Sequence, residues 1–327
     1  MLILTYPRLP NRPSGSKVIL LFGAGLIGTS VLGALPKEKC RTFTELPFTW
    51  NNPAARSLEK KRVFQIATNS GSDTFQFDVI WAAGKAGFAA TEQVLAEEDL
   101  AFDDVLDVAR QLSGLPHRPI VTFHLVSSAG GLFEGEKFVG RTSHPRPLRP
   151  YGTAKLRQEG AVSHLECIKS VIYRPSTVYG YCGGGRAGLI TSLVGNAQKF
   201  KVTTIYSQPG TLRDFVHADD VGRFIASKVF TRGGEGQTYI LASAKPTSAT
   251  EIVGIVRNLI RRPLYVRYDP APSNALHNSY LRTAAPVEFF SMALQSGIQR
   301  TILAMEAAEF SASMKYGSLK GCYIGRD

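Results

Sequence analysis

The sequence contains few cysteines, and they lie far apart. Cys40, Cys167, Cys182 and Cys322 form no Cys-x-x-Cys pair. This spacing argues against a zinc ribbon and against a disulfide framework, and we expect no metal site. Isolated thiols are typical of a reducing compartment, so we expect a cytoplasmic protein.

Long apolar runs are also scarce. Residues 18–35 form the uncharged stretch that most resembles a signal peptide or a short membrane anchor, because Arg8, Arg12 and Lys17 precede it. However, glycines recur within the stretch, at positions where a strand would turn into a helix. A buried parallel strand followed by a packed helix is equally apolar. We interpret the stretch in this way and expect no membrane association.

Acidic residues are outnumbered by basic ones, since 26 Asp and Glu against 38 Lys and Arg give a formal charge of +12. Such a charge can attract nucleic acid or a membrane, or it can steer an anionic substrate or cofactor. The basic residues are scattered, and no stripe of them alternates with aromatic residues as in a single-strand-binding groove. We therefore expect a small anionic ligand and no nucleic-acid partner.

Apolar runs and helical patterns alternate along the first half of the chain. Strands are predicted at residues 17–22, 40–46, 77–82, 120–126 and 168–173, and helices at 26–35, 91–112 and 151–165. This alternation predicts an α/β fold with a doubly wound parallel sheet. Residues 47–75 show no clear pattern. Beyond a glycine-rich segment, helical patterns recur at 190–199, 218–229, 250–260 and 287–306.

A glycine-rich turn joins the first predicted strand to the first predicted helix. Gly23, Gly25 and Gly28 follow the pattern Gly-x-Gly-x-x-Gly. In a dinucleotide site the first glycine makes the tight turn, the second lets the pyrophosphate approach the backbone, and the third packs the helix on the strand. Leu26 and Ile27 would open the helix, whose N-terminus offers N–H groups and a positive dipole end to phosphate.

A carboxylate that binds the adenosine ribose is expected about 20 residues beyond the glycines. Glu45 is the candidate at that spacing, and it favours NAD. Arg41 and Arg56 could instead bind the 2′-phosphate of NADP. The sequence leaves this choice open, with NAD the first expectation.

Tyr151 and Lys155 lie four residues apart at the start of a predicted helix, and this spacing places them on one face. A free tyrosine, with a pKa near 10, is a poor base at neutral pH, but a nearby ammonium favours its phenolate form. Ser128 ends a predicted strand at the edge of the sheet where open α/β folds bind ligands. We predict Tyr151 as acid/base, Lys155 as its partner, and Ser128 as the hydroxyl that orients the substrate.

Six stretches, taken together with these residues, resemble the extended short-chain dehydrogenase/reductases. They are residues 22–28, 79–84, 126–133, 144–155, 173–180 and 213–221. The resemblance is greatest to the branch of NAD-dependent epimerases and dehydratases of nucleotide sugars, and it covers residues 17–305.

The resemblance implies a domain organisation. It places a Rossmann domain at residues 17–178, to which 214–245 return, and a smaller C-terminal α/β substrate lobe at 179–213 and 246–310. Residues 1–16, which hold three prolines, and residues 311–327 are expected to be extensions.

The resemblance also assigns roles to single residues. Ser127 is the alternative to Ser128, and His217, Asp219 and Asp220 are expected to form a turn and helix cap. The implied cofactor contacts are Gly23, Gly25, Leu26, Ile27, Gly28, Glu45, Ala82, Ala83, Gly84, Lys155, Pro175 and Val178. The implied substrate contacts are Ser127, Ser128, Arg213 and Arg282.

One departure from the family pattern bears on the reaction. Dehydratases of this branch carry an Asp-Glu pair after the serines, whereas this chain has Ala129, Gly130 and Gly131. The resemblance, with this departure, therefore implies a nucleotide-sugar epimerase with NAD as cofactor, acting in polysaccharide biosynthesis as a homodimer. The alternatives are a net NAD(P)H-dependent reductase or dehydrogenase of a keto-sugar or other carbonyl compound, and a non-catalytic nucleotide-sensing or RNA-associated protein.

Overall fold

The computed structural model describes residues 1–7, 16–69, 74–184, 187–231, 236–271 and 274–320. Its strands are β1 (Leu2–Tyr6), β2 (Ser16–Phe22), β3 (Thr42–Glu45), β4 (Thr74–Trp81), β5 (Ile120–Val126), β6 (Lys169–Pro175), β7 (Thr177–Tyr179), β8 (Thr203–Ile205), β9 (Leu212–Arg213), β10 (Phe215–His217), β11 (Gln237–Leu241), β12 (Thr247–Ser248) and β13 (Val266–Tyr268). Its α-helices are α1 (Leu26–Ala34), α2 (Pro53–Asn69), α3 (Glu92–Ser113), α4 (Ala129–Leu132), α5 (Pro150–Ser163), α6 (Leu189–Gln198), α7 (Ala218–Phe230), α8 (Ala249–Leu259) and α9 (Leu294–Lys320).

A seven-stranded sheet forms the centre of the molecule, in the order β11-β6-β5-β4-β2-β1-β3. The strands β2, β4, β5, β6 and β11 are parallel, and each pairs directly with its neighbour in this order. Helices lie on both faces, which are hydrophobic because alternate residues of each buried strand point to opposite sides. The predicted doubly wound α/β fold is confirmed.

The N-terminal strand β1 is the exception to the parallel order. It lies between β2 and β3 and is antiparallel to both, with Leu2 opposite Leu21 on one side and Glu45 on the other. All five of its residues are buried. The prediction of a loose extension is therefore wrong for residues 2–6, while residues 8–15 lie outside the described part of the chain.

The two faces of the sheet bury separate hydrophobic clusters. Val18, Leu20 and Phe22 of β2 face α2 and α3 and pack with residues such as Phe102. Ile19 and Leu21 face the other side and pack with α1 and α7. Each residue of β2 after Ser16 is buried, and all of these residues except Lys17 are apolar.

A third cluster lies outside the central sheet, in the C-terminal part of the chain. Side chains of α6, α8 and the first turns of α9 pack together there, with Leu193, Ile252 and Ile298 fully buried. Two-stranded pairings β7–β10, β9–β12 and β8–β13 border this cluster. The segment between, from α7 to β11, returns to the central sheet, where β11 pairs with β6.

Three helical segments differ from the sequence prediction. The unassigned residues 47–75 contain α2, and the predicted helix at 287–306 begins only at Leu294. Val287 and Phe290, which the prediction placed in that helix, are exposed in an irregular segment. The predicted C-terminal extension continues α9 as far as Lys320, and residues 321–327 lie outside the described part. No described helix combines the length and the apolar character needed to cross a membrane.

A chain of polar groups runs across the middle of the sheet beneath α7. The Nζ of Lys17 lies 2.8 Å from Oδ2 of Asp78, and Oδ1 of Asp78 lies 3.0 Å from Nε2 of His124. The Nδ1 of His124 lies 2.9 Å from the hydroxyl of Tyr173. Burial by itself would raise the pKa of Asp78, but Lys17 and His124 outweigh it and hold that pKa below its ordinary value.

We predict that Asp78→Asn destabilises the protein by about 3–5 kcal/mol at pH 7, because a buried ammonium loses its counter-charge. The lowered pKa of Asp78 means that its contribution is present above about pH 3.9 and is lost as the pH falls through the native pKa. Urea denaturation at pH 7 and near pH 3.5 measures both effects, and the difference between wild type and variant should shrink at the lower pH.

Asp107→Asn is the control for this measurement. The Asp107 side chain is 47% exposed and pairs with Arg110 on the surface of α3. Its loss should cost less than about 1 kcal/mol. Equal destabilisation by the two variants would contradict the assignment.

Candidate active site

The glycine turn is built where β2 ends and α1 begins. Gly23 has a positive φ of 98°, and a Cβ at this position would lie 2.5 Å from the Cα of Ala83. A Cβ at Gly28 would lie 1.8 Å from the carbonyl oxygen of Gly23. Gly23 is therefore required by the packing of the turn against the end of β4, and Gly28 by the packing of α1 on the turn itself.

Gly25 differs from these two glycines because nothing lies within 4 Å of a Cβ built on it. It is exposed and stands at the N-cap of α1, and the first hydrogen bond of the helix runs from Thr29 to the Gly25 carbonyl. The amides of Leu26, Ile27 and Gly28 precede that bond, so they have no partner within the helix. Open space in front of unpaired amides is the cradle that a pyrophosphate needs.

A cavity of about 710 Å³ continues from this turn along the carboxyl ends of β4, β5 and β6. Its lining includes most of the predicted site residues: Ile27, Ala82, Gly84, Ser127, Ser128, Tyr151, Lys155, Pro175 and Val178. Ala83 is buried behind the lining, against Gly23. The structure thus places the predicted catalytic residues and part of the predicted cofactor contacts around one space.

Two glycines let α4, which Ser128 caps, and α5, which carries Tyr151, approach each other. A Cβ on Gly131 would lie 2.9 Å from Cε1 of Tyr151, and a Cβ on Gly152 would lie 2.2 Å from the Gly131 carbonyl oxygen. In the sequence, Gly131 stands out only because it occupies the region where dehydratases carry an Asp-Glu pair. Its position three residues after Ser128, together with Gly152 inside the Tyr-x-x-x-Lys motif, is the signal that could have revealed this contact.

The two serines differ in their surroundings. Ser128 is the N-cap of α4, and its Oγ accepts a hydrogen bond of 3.1 Å from the amide of Gly131. Its hydroxyl hydrogen can still be donated to a substrate oxygen. Ser127 is buried, and its Oγ has no hydrogen-bond partner among the described residues.

Lys155 is held close to Tyr151 in a buried position. Its Nζ lies 5.8 Å from the centre of the Tyr151 ring and 2.7 Å from Oε1 of Glu98. The Oε1 of Gln158 lies 3.0 Å from the same Nζ. Phe88 contacts Tyr151 edge to face with ring centres 5.7 Å apart. None of Glu98, Gln158 and Phe88 was predicted from the sequence. The packing of α3 against α5 brings Glu98 to the site, whereas Gln158 lies three residues after Lys155 on α5 and Phe88 lies in the loop between β4 and α3.

The residues predicted to recognise the adenosine ribose lie further from the glycine turn than the residues that line the cavity. Because β1 is inserted between β2 and β3, Glu45 is two strands from Leu21, about 10 Å away at the usual strand spacing. Arg41 precedes β3 and therefore lies at the opposite end of that strand from Glu45. Arg56 is buried, with its Nε 2.7 Å from Oδ2 of Asp104. Neither arginine is available to a 2′-phosphate, and the NADP alternative loses its support.

The remaining predicted residues are outside the cavity. Arg213 is half-buried on β9, where burial lowers its pKa, and Arg282 is exposed beside a different cavity. His217 caps α7, with its Nδ1 accepting a 3.1 Å hydrogen bond from the amide of Asp219. Burial lowers the pKa of His217 despite the nearby Asp219 and Asp220. The predicted turn and helix cap is therefore present. The described residues contain no group of three or more His, Cys, Asp or Glu placed to hold a metal ion.

A family model described as the NAD dependent epimerase/dehydratase family matches residues 19–242. The chain belongs to this family. The matched region contains the glycine turn, both serines, Tyr151 and Lys155, and the cradle at Gly25 fits the dinucleotide from which the family takes its name.

One curated relative and two solved structures illustrate the similarity. A dTDP-4-dehydro-6-deoxy-D-allose reductase from Streptomyces is 30% identical over 138 residues, which are 40% of this chain and 41% of the relative. The UDP-glucose 4-epimerase of Thermus thermophilus, solved with NAD, has a TM-score of 0.67 at 19% identity and covers 88% of this chain and 97% of its own. The UDP-glucuronic acid 4-epimerase of Bacillus cereus has a TM-score of 0.69 at 16% identity, with 89% and 99% covered. At these identities, the solved structures establish the fold.

We predict that Gly25→Ala leaves the fold intact but weakens NAD binding by about tenfold or more, because the added methyl group occupies the space of the pyrophosphate. The extended backbone of Gly25, with φ −78° and ψ −164°, accommodates alanine. Titration calorimetry and the amount of nucleotide retained on purification measure the loss.

The matched control is Gly33→Ala on the same helix, where a Cβ also meets nothing within 4 Å. Both variants should unfold at temperatures close to that of the wild type, and only Gly25→Ala should lose NAD. Full retention of NAD by Gly25→Ala would show that the pyrophosphate binds elsewhere.

Proposed function

We propose that this protein is an NAD-dependent nucleotide-sugar epimerase. The observation that carries the proposal is one cavity that is lined by Ser128, Tyr151 and Lys155 and reaches the glycine turn at Ile27. The residues after the serines include no acid/base pair of the kind that dehydratases use. The solved epimerases with the same fold are described with UDP-glucose, UDP-glucuronic acid and NAD.

Each residue of the site has a role in this reaction. The glycine turn, with Ile27 and Ala82, would hold NAD, which would supply a reversible hydride acceptor, so that a sugar carbon could be oxidised to a ketone and reduced again from the opposite face. Tyr151 takes the proton of the sugar hydroxyl in the first half and gives it back in the second. Lys155 stabilises the phenolate, and Ser128 donates a hydrogen bond to the sugar oxygen. Arg213, and with less support Arg282, remain the proposed contacts of the substrate diphosphate.

The test begins with the nucleotide released from freshly purified protein, identified by mass spectrometry. The protein is then incubated with UDP-glucose, UDP-glucuronic acid and UDP-N-acetylglucosamine without added cofactor, and products are followed by NMR. We expect bound NAD and conversion of one sugar into a mixture of two epimers. Failure to turn over any nucleotide sugar in a panel that includes dTDP-sugars would overturn the proposal.

Tyr151→Phe should lower kcat by about 10²–10⁴-fold, because the variant lacks the hydroxyl group that accepts and donates the proton. Tyr206→Phe, at an exposed tyrosine outside the cavity, is the control and should retain full activity. Both variants should bind NAD as the wild type does. A Tyr151→Phe enzyme with unchanged kcat would exclude this residue as the acid/base.

A keto-sugar reductase is the second candidate, because the curated relative is a reductase of that kind. The same residues would serve, but the cofactor would have to exchange after each turnover. Steady consumption of NADH or NADPH with a 4-keto sugar would favour the reductase. Conversion without added cofactor favours the epimerase.

We place the enzyme in the cytoplasm, in the supply of sugar donors for polysaccharide synthesis. Cys40, Cys167 and Cys182 are free thiols, which suits a reducing compartment. We also propose a homodimer formed through α3 and α5, whose outer faces expose Leu100 and Leu156.

If α3 and α5 form the dimer interface, Leu100→Asp combined with Leu156→Asp should yield a monomer, because burying a charge in an apolar helix interface is costly. Size-exclusion chromatography with light scattering measures the mass. Leu58→Asp, at an exposed leucine of α2, should leave the mass unchanged. A wild-type protein that is monomeric at micromolar concentration would refute the proposed dimer.

A further inference from the structure

The buried ion pair between Glu98 and Lys155 joins α3 to α5 directly behind the cavity. The side chains are 3% and 4% exposed, and the Nζ–Oε1 distance is 2.7 Å. An ammonium and a carboxylate at such depth are costly to bury unless each neutralises the other. The pair therefore fixes both the position of Lys155 and its charge.

Glu98 is itself held by several groups. Its Oε2 accepts a 2.9 Å hydrogen bond from the amide of Ala86, and its Oε1 accepts a 3.2 Å hydrogen bond from Nε2 of Gln158. Burial alone would raise the pKa of Glu98, but Lys155 and these hydrogen bonds hold it below its ordinary value. The carboxylate is thus ionised and has little freedom to turn away.

Gly84 lies over the pair and belongs to the cavity wall. A Cβ on Gly84 would lie 3.1 Å from Nζ of Lys155 and 3.4 Å from Oε1 of Glu98. The ion pair is therefore packed against the main chain that lines the proposed cofactor space.

Other charged groups near the pair are engaged elsewhere. Lys85 follows Gly84 along the cavity wall and lies over the ring of Trp50, 5.2 Å from its centre. The ion pairs on the surrounding elements are Asp99–Arg157 between α3 and α5, Asp104 with Arg56 and Lys60 of α2, Asp107 with Lys60 and Arg110, Glu134–Arg149 beside α4, Glu159–Arg174 between α5 and β6, and Asp78 with Lys17 and His124 within the sheet. Among the described ion pairs, only Glu98 brings a carboxylate to Lys155.

We propose that Glu98 is a positioning residue that keeps Lys155 charged beside Tyr151 and so sets the pH range in which Tyr151 can act as a base. The proposal rests on the catalytic roles of Tyr151 and Lys155 given above. Without the carboxylate, burial would drive Lys155 to its neutral amine. Tyr151 would then lose the neighbouring charge that favours its phenolate form.

The decisive variant is Glu98→Gln, which retains the shape and a hydrogen-bond acceptor but removes the charge. We expect the acid limb of the kcat/KM profile to move to higher pH by about one unit or more. At a pH on that limb, this corresponds to a loss of about tenfold or more. Asp99→Asn, on the adjacent residue of α3, removes a carboxylate that pairs with Arg157 and should leave the profile unchanged.

An exchange of side chains separates charge from shape. Because Oε1 of Gln158 lies 3.0 Å from Nζ of Lys155, the double variant Glu98→Gln/Gln158→Glu moves the carboxylate from α3 to α5 beside the same ammonium. We expect this variant to restore the acid limb to within about 0.3 units of the wild type. If Glu98→Gln alone does not fold, the double variant carries the test, and a limb displaced by a unit or more overturns the proposal.

A second readout does not depend on turnover. Phenolate absorbance near 295 nm is titrated in the wild type and in Tyr151→Phe, and the difference between them isolates Tyr151. The same difference between Glu98→Gln and Glu98→Gln/Tyr151→Phe should lie at higher pH. An unmoved titration and an unmoved acid limb, or a limb that moves to lower pH, would reduce Glu98 to a structural role. Failure of the wild type to convert any sugar would instead refute the epimerase, and the absorbance titration would still test Glu98.

Discussion

The site depends on places where main chain meets main chain without a side chain between them. Gly23 and Gly28 let the first turn close against the end of β4, and Gly131 and Gly152 let α4 approach α5. The first contact builds the cradle in front of Gly25, and the second places Tyr151 against Gly131 of the helix that Ser128 caps. A methyl group at any of these four positions would separate elements whose side chains have to meet, so the geometry is determined by the backbone before any charge acts.

Charge is used sparingly within this frame. Among the residues whose burial the structure describes, two lysines are almost fully buried in ion pairs, Lys17 with Asp78 and Lys155 with Glu98. The first lies within the sheet and extends through His124 to Tyr173, where it contributes to stability. The second lies at the wall of the cavity, close to Tyr151, the proposed acid/base. Both pairs are neutral overall, so the formal charge of +12 resides mainly in exposed side chains and describes the surface more than the site.

The sequence predicts well those elements whose hydrophobic pattern and end residues lie within a single short segment of the chain. The strands β2, β4 and β5 are apolar runs that end in glycines or serines, and their positions and the residues at their ends agree with the prediction. The strand β1 has an equally apolar run, but its place between β2 and β3 depends on partners distant in the chain. That insertion moves Glu45 away from the turn, although the spacing along the chain matches. The helix α2 was missed because its buried face combines Val63 with Arg56, whose charge is neutralised by Asp104 of another helix.

Glu98 shows the same limit at the site itself. On the sequence it is one of several acids in the helix predicted at residues 91–112, and no local pattern distinguishes it from Glu97 or Asp99. Only the packing of α3 on α5 turns it inward to Lys155. In the proposed cycle of transient oxidation, the proton that Tyr151 would take returns to the sugar in the second half. Lys155 then needs to remain charged but does not need to pass protons to solvent, and a sealed, neutralised ion pair meets that requirement.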